Sequence, residues 1–362
     1  VTICLPVWQG AHLVDIAING ALAQTETDWE LVVGDNASDD GLEAVVARHG
    51  DRRIRYHRWD EHVDVYQNFN RTMELARGEW VLPIGADDML HPDALASLLA
   101  AAEPRPDAPV PVLVVAACRR VLPDGASADA FYYGALRAVD VEAGSYDAGG
   151  WLAIAATGGP YPWNMGSVLI ARSVLAAAGA FRPDVGLAAD MELVFRLSAY
   201  GPVAYLDRPL LDFMVRPDSD GNVKWSAERS SRDQPTPLAR ALLAALSEHQ
   251  RRRTVSRAEQ RAVRSGAART HLVRAAQHRT QPGGRGRRGA LADIRRAARL
   301  DGWTILHPGS ATMILGALLA PTPLIRRVST ALRDRNHPPR PSDQPDEGAS
   351  ATHPASSESN RG

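Results

Sequence analysis

Residues 1–117 alternate short apolar runs with stretches of helical periodicity, and that alternation constrains the fold more than any other feature of the chain. Thr2–Val7, Glu30–Gly34, Ile54–Arg58, Trp80–Ile84 and Val110–Ala117 predict strands. Ala11–Gln24, Leu42–Arg48, Val63–Ala76 and a segment from Pro92 to about Ala102 predict helices, with Pro92 in the first turn, where its missing N–H costs nothing. Strands of this length separated by helices imply an α/β layer with a mostly parallel sheet flanked by helices. In such sheets ligands bind beyond the carboxyl ends of the strands. That rule singles out Asp35 and the Asp87-Asp88 pair, each of which directly follows a strand.

Between residues 124 and 164 the pattern weakens. Ser173–Ala178 and Ala188–Tyr200 then predict helices, and Val203–Leu206 and Leu211–Val215 two short strands. Leu238–Leu246, Arg257–Gln277 and Leu291–Leu300 predict a helical appendage, broken by Pro-Gly-Gly-Arg-Gly at 282–286. From Asn336 the chain is Pro, Ser, Asp and Gly with almost no apolar content, which predicts disorder. The expected division is a body over 1–225, an Arg-rich helical appendage over 235–335 and a disordered tail over 336–362.

Charge is distributed unevenly. Residues 1–250 hold 20 Lys and Arg against 34 Asp and Glu, whereas residues 251–300 hold 15 Arg against Glu259 and Asp293. An acidic body with a basic appendage suggests attraction to an anionic surface, with peripheral membrane contact through 251–335 as one expectation and a solvated basic face as the other. No nucleic acid is expected, because the basic segment has no aromatic residue for base stacking. Two cysteines, Cys4 and Cys118, make neither a disulfide framework nor a zinc site, and a reducing cytoplasm fits them. The chain opens on an apolar run with no basic leader, and the apolar run Ala311–Ile325 is interrupted by Pro321 and Pro323, short of a membrane span.

Two adjacent carboxylates at a strand end repel each other unless a cation or hydrogen-bond donors offset them. A solvated turn with a helix cap would produce the same dipeptide. The surrounding blocks decide between these readings. Leu5-Pro6-Val7-Trp8-Gln9-Gly10, then Trp29-Glu30-Leu31-Val32-Val33-Gly34-Asp35-Asn36-Ala37-Ser38-Asp39-Asp40, then Ala76-Arg77-Gly78-Glu79-Trp80-Val81 leading to Ala86-Asp87-Asp88, then Ala189-Asp190-Met191-Glu192-Leu193-Val194-Phe195-Arg196-Leu197 follow one another in order. Over residues 1–220 these blocks resemble glycosyltransferase family 2, inverting enzymes of the Rossmann-like GT-A fold.

The resemblance implies a nucleotide-diphosphate sugar donor, a divalent metal (Mn2+ or Mg2+) and a saccharide or lipid-linked hydroxyl acceptor, in cell-surface polysaccharide or glycolipid assembly. It implies that Pro6 lines the nucleotide crevice, Asp35 meets the base, Asp87 lies by the ribose and diphosphate, Asp88 ligates the metal and Asp190 is the general base. Glu192 is expected on the acceptor side, with Trp163 and Asn164 as acceptor contacts; an anchor packed on the core is the competing reading of that loop. Asp190 and Glu192 are two apart on a predicted helix and cannot share a face. Arg216 stands where the family often has a His, and is expected to contact the diphosphate through its planar fork. Gly85 stands at the first acid of the extended metal motif, and Ala189 at the Glu before the base. The location expected is cytoplasmic, peripheral at the inner face of the plasma membrane. The alternative from another class is a non-catalytic sugar-nucleotide-binding or membrane-associated assembly protein, which would not need both Asp88 and Asp190.

Overall fold

In the computed structural model, which describes residues 1–106, 108–128, 140–155, 157, 161–216, 236–280, 286–302 and 304, the expected strands order into one nine-stranded sheet. The strands are β1 (Thr2–Val7), β2 (Glu30–Asp35), β3 (Ile54–Arg58), β4 (Trp80–Pro83), β5 (Met89–Leu90), β6 (Leu113–Val121), β7 (Gly144–Tyr146), β8 (Val168–Ala171) and β9 (Val203–Met214). The helices are α1 (Val14–Leu22), α2 (Leu42–Ala47), α3 (Val65–Glu74), α4 (Ala94–Ala102), α5 (Ala148–Ala155), α6 (Arg172–Ala178), α7 (Ala189–Leu197), α8 (Pro237–Arg252), α9 (Arg257–Thr280) and α10 (Gly286–Leu300).

The strand order is β3-β2-β1-β4-β8-β6-β9-β5, with β7 beside β9. β1, β2, β3 and β4 are parallel; β8 is antiparallel to both β4 and β6; β6 and β9 are parallel. Six strands therefore point one way, and their carboxyl ends form one edge. The short strands β5, β7 and β8 run the other way. Alternate residues of β1 go to opposite faces. Ile3, Leu5 and Val7 pack with α1 and α4, while Cys4 packs on the other side with Val81, Met73 and the α7 residues Leu193 and Val194. Burial pushes the Cys4 thiol far above its ordinary pKa and keeps it neutral.

Local signals explain the element ends. Asp64 caps α3, accepting from the amides of Tyr66 (2.9 Å) and Gln67 (3.1 Å), and the Gln67 side chain accepts from the Asp64 amide at 3.3 Å, a reciprocal capping box. Thr236 caps α8 with Pro237 in its first turn. Pro92 lies one step earlier than expected: Asp93 is the cap of α4 and Pro92 belongs to the preceding turn.

The two short strands expected over 203–215 are one strand, β9. Its register with β6 slips between Ala116, opposite Leu206, and Ala117, opposite Pro209. A bulge of this kind absorbs Asp207-Arg208, and the missing Pro209 amide is tolerated at the irregularity. β5, β7, β8 and α5 were not expected; two to four residues of strand carry too little periodicity to be seen.

α8 and α9 share the main core. Leu242 and Leu246 of α8 and Val263 and Ala267 of α9 join the apolar cluster of α7 and the aromatic group Trp151, Trp163, Phe195 and Tyr205. Within that group the Trp151 and Trp163 rings stack at 5.1 Å, and Tyr161 stacks on Trp163 at 4.9 Å. Trp151 has no exposed surface. Trp151→Ala is expected to cost about 3–5 kcal/mol of stability, read as a drop in the denaturation midpoint. A midpoint within experimental error of wild type would show that this cluster is not a packed core. No helix among the described residues is long and apolar enough to cross a membrane. The apolar run over 311–325 and the tail over 336–362 lie outside the described residues.

Candidate active site at the carboxyl edge of the sheet

The β1·β4 ladder ends at two prolines. Cys4 pairs with Pro83, and the Cys4 carbonyl accepts from the Ile84 amide at 2.9 Å. The next donor on β1 would be residue 6, and Pro6 has no N–H. β1 continues its pairing with β2 alone, Pro6 opposite Gly34 and Val7 opposite Asp35. Pro6 thus stands where the two central strands part.

On one side of that parting lies Asp35, 1% exposed at the end of β2. Its Oδ1 accepts from the Ser38 amide at 2.9 Å; its Oδ2 accepts from the Tyr56 hydroxyl and lies 3.6 Å from Arg58 Nε. Burial, followed by the bond to Asp35, pushes the Tyr56 hydroxyl well above its usual range and keeps it a donor. The turn beyond β2 includes Ala37 at φ 61, and Gln9 beyond β1 has φ 50. These are left-handed conformations costly for residues with a side chain. The two turns brace each other, since the Gln9 amide donates to Ser38 Oγ at 3.0 Å and the Ala11 amide to Asp40 at 2.8 Å. Trp8, half exposed, leans on His62 with ring centroids 4.6 Å apart.

On the other side lie Asp87 and Asp88. Asp88 is 3% exposed, and its Oδ1 accepts from the Met214 amide at the end of β9 at 3.2 Å. Arg216 Nε donates to Asp87 Oδ2 at 2.8 Å. Burial first, and the Asp87 charge second, push the Asp88 carboxyl well above the usual carboxylate range; the Met214 and Gly85 amides and Arg216 pull the other way. Gly85 explains how two carboxylates fit this turn. A Cβ there would meet Asp88 Oδ2 at 3.0 Å and Asp87 Oδ1 at 3.2 Å, so a larger residue would displace both. A Cβ on Gly166 would stand 3.5 Å from Asp88 Oδ2, which places the turn before β8 against the same carboxylate. Among the described residues no group of three or more His, Cys, Asp and Glu converges on one point. A pair of carboxylates left short of a cage is what a hard dication needs when substrate phosphates complete its shell. The Asp88 carboxyl, buried and only partly compensated by the Met214 and Gly85 amides and Arg216, is of the oxygen-donor kind such an ion takes.

Asp190 opens α7. The chain leaves α7 through residues 198–202 into the amino end of β9, opposite the carboxyl edge of the sheet. Asp190 is partly buried, and burial raises its carboxyl to a pKa of about 6 against the help of the Met191 amide at 2.8 Å. Glu192 points inward, as the two-residue spacing requires. It has no exposed surface, and Arg196 Nε donates to its Oε1 at 2.8 Å. Glu192 is therefore a corrected expectation, an internal counter-ion with no path to an acceptor. Trp163 is likewise corrected: 1% exposed and stacked on both faces, it has no ring surface to offer. Asn164 caps the short turn Met165–Ser167, its Oδ1 accepting from the Gly166 amide at 3.2 Å. The core-anchor reading of this loop accounts for both.

Sequence reasoning missed Tyr56, Arg58, Gly166 and the Met214 amide. A signal for Tyr56 existed, since a parallel β2·β3 register brings it near Asp35. None existed for the Met214 amide, which lies 126 residues from Asp88. A cavity of about 280 Å3 is lined by Ala101, Arg105, Ala204 and Tyr205 near the amino end of β9, away from these carboxylates.

Residues 2–128 match the family model "Glycosyl transferase family 2". The chain is 32% identical over 103 residues to the succinoglycan biosynthesis protein ExoO of Rhizobium meliloti, covering 28% of this chain and 30% of that protein. It is 34% identical over 103 residues to a PGL/p-HBAD biosynthesis glycosyltransferase of Mycobacterium bovis, covering 27% and 40%. These matches span well under half of either relative. Among solved structures, S. aureus TarS 1–349 in complex with UDP-GlcNAc aligns with TM-score 0.52 at 14% identity, over 83% of this chain and 90% of that one. The likeness to TarS is one of fold.

Proposed function

We propose that this chain, whose residues 2–128 match the model of glycosyl transferase family 2, is an inverting glycosyltransferase that moves a sugar from a nucleotide diphosphate to a hydroxyl of a saccharide or lipid-linked acceptor. Residues 1–225 are the transferase body in this reading. The observation that carries it is the Asp87-Asp88 pair, held at the carboxyl edge by the Met214 amide and Arg216, with Asp88 buried and short of positive charge. The names of the relatives, both biosynthetic, support a product in polysaccharide or glycolipid synthesis.

The residues divide the work. Pro6 and Asp35 flank the crevice for the nucleoside; an N–H of the base would share Asp35 Oδ2 with Tyr56. Asp88, with Asp87 beside it, would hold Mn2+ or Mg2+, and such an ion supplies charge neutralisation of the departing diphosphate. Arg216, already aimed at Asp87, would exchange that partner for phosphate oxygens as the donor enters. Asp190 takes the proton of the acceptor hydroxyl. The acceptor oxygen bonds to the anomeric carbon as the bond from that carbon to the phosphate oxygen breaks, and the configuration inverts. A carboxyl near pKa 6 is a stronger base than an ordinary aspartate and is still ionised at neutral pH.

The test is release of nucleoside diphosphate from a panel of nucleotide sugars, with and without Mn2+ or Mg2+. Turnover of one donor that requires both the ion and Asp88 is the expected result. No release and no ion-dependent nucleotide binding with any donor would leave the non-catalytic alternative standing. In the same assay Arg216→Ala is expected to weaken donor binding about 10- to 100-fold, the range for a lost charged hydrogen bond. Arg216→Lys restores it only in part, because an ammonium cannot reproduce the fork. Donor affinity unchanged in Arg216→Ala would remove Arg216 from the site.

A further inference from the structure

We infer that the outer face of the α9–α10 hairpin is a docking surface for an anionic phospholipid leaflet. Helical spacing shows how this face is built. Arg257, Arg261 and Arg264 of α9 follow one another at three- and four-residue intervals, and the same stripe continues as Ala268, Leu272 and Ala275. Ala268 and Leu272 pack on Ala297, and Ala275 on Ala290, so α10 covers the second half of the stripe. The three arginines thus emerge on the side of α9 that α10 occupies, past the end of α10. On α10, Leu291, Arg295 and Arg299 lie four residues apart on the exposed side, opposite the buried Ala290, Asp293 and Ala297 that face α9. Both arginine groups therefore look outward in one direction.

These five arginines are exposed, and none makes an ion pair among the described residues. The only two acids of residues 251–300 are committed elsewhere. Glu259 caps α9, accepting from the Ser256 amide at 2.6 Å, and Asp293 is buried against Arg274 and His271. Asp301, just past α10, accepts from the Thr304 hydroxyl at 2.6 Å, so the basic side chains outnumber the acids on this face, and the acidic remainder of the chain sharpens the contrast.

The occupant follows from the rest of the face. A large apolar side chain, Leu291, sits 39% exposed among the arginines. A basic helix face with an apolar residue suits the boundary between headgroups and acyl chains. Residues 251–300 contain no Phe, Trp or Tyr, so nothing there stacks on a base. The inference does not depend on the transferase reading.

The test is flotation of the full chain with vesicles of phosphatidylcholine alone and of phosphatidylcholine mixed with phosphatidylglycerol. Binding to the mixed vesicles only, weakened by added salt, is expected. Arg257→Gln/Arg261→Gln/Arg264→Gln is expected to weaken it about 100-fold, at roughly fivefold per arginine removed from the leaflet. These side chains are exposed and make no ion pair among the described residues, so the helical circular dichroism and nucleotide binding stay as in wild type. Arg295→Gln/Arg299→Gln, measured separately, is expected to weaken binding by over tenfold on the same per-residue scale. Equal binding to neutral vesicles, unchanged binding in both variants, or binding to duplex or single-stranded oligonucleotides in preference to vesicles would each overturn the inference.

Discussion

Asp190→Asn lowers turnover by about 10²–10⁴-fold, the range for loss of a general base, while nucleotide binding is retained. The expectation rests on two features. Asp190 stands in the first turn of α7, and burial has raised its carboxyl to about 6. The base works ionised, so the wild-type rate rises through pH 6 and levels above it; below that pH the proton occupies the atom that should receive one from the acceptor. Asn has no such titration, and its residual rate loses the inflection. The measurement is the pH profile of kcat/KM with the donor found in the panel. A variant with full turnover, or with the same inflection near pH 6, would assign the proton transfer to another group. Asparagine has nearly the volume of aspartate, so folding is not the issue, and nucleotide binding serves as the control.

Asp88→Asn gives the second large effect, and it has a readout besides activity. Turnover is expected to fall about 10²–10³-fold or more, as when a site loses one of the groups that stabilise the charge developing in the transition state. Stability tells the same story from the apo side. The folded Asp88 carboxyl titrates above its unfolded value, so its contribution is fully present below the ordinary aspartate range and is lost as pH rises through the folded value. Ionising Asp88 in the apo protein therefore costs stability, because the charge is buried beside Asp87. Adding Mn2+ with nucleoside diphosphate should raise the wild-type Tm by an amount that shrinks on acidification. The Asp88→Asn protein should melt no lower than wild type without ions and gain nothing from them. An ion-dependent rise in Tm that survives in Asp88→Asn would place the cation elsewhere.

The body of the fold was legible because its signals are short-range. The strands Thr2–Val7 and Ile54–Arg58 have the expected bounds, and β2, α2, α3 and β4 differ from expectation by one or two residues at either end. Each depends on periodicity within a few residues and on a cap or turn residue beside it. Asp35 and Asp87-Asp88 were legible for the same reason, since a polar turn after a parallel strand lies at the ligand edge whatever else the chain does. Asp190 was singled out only through the order of blocks around it, because nothing in its own turn marks it.

The rest is non-local. β5 and β8 exist because β9 and β4 offer them partners, and β9 reads as two strands until its pairing with β6 shows a bulge in between. Trp163 and Glu192 illustrate the limit most directly. An amphipathic ring in a Gly/Pro loop and an acid two residues from a candidate base look the same whether they face water or the core, and here Trp151, Tyr161 and Arg196 turn both inward. Local hydrogen bonding and side-chain period were thus enough to set the layers and to bring the acids to one edge. Which acid is desolvated, which is paired and which keeps a raised pKa was decided by the packed structure, where Met214 and Arg216 reach Asp88 and Asp87 from more than a hundred positions away, because the free energy of a charge depends on what replaces its water.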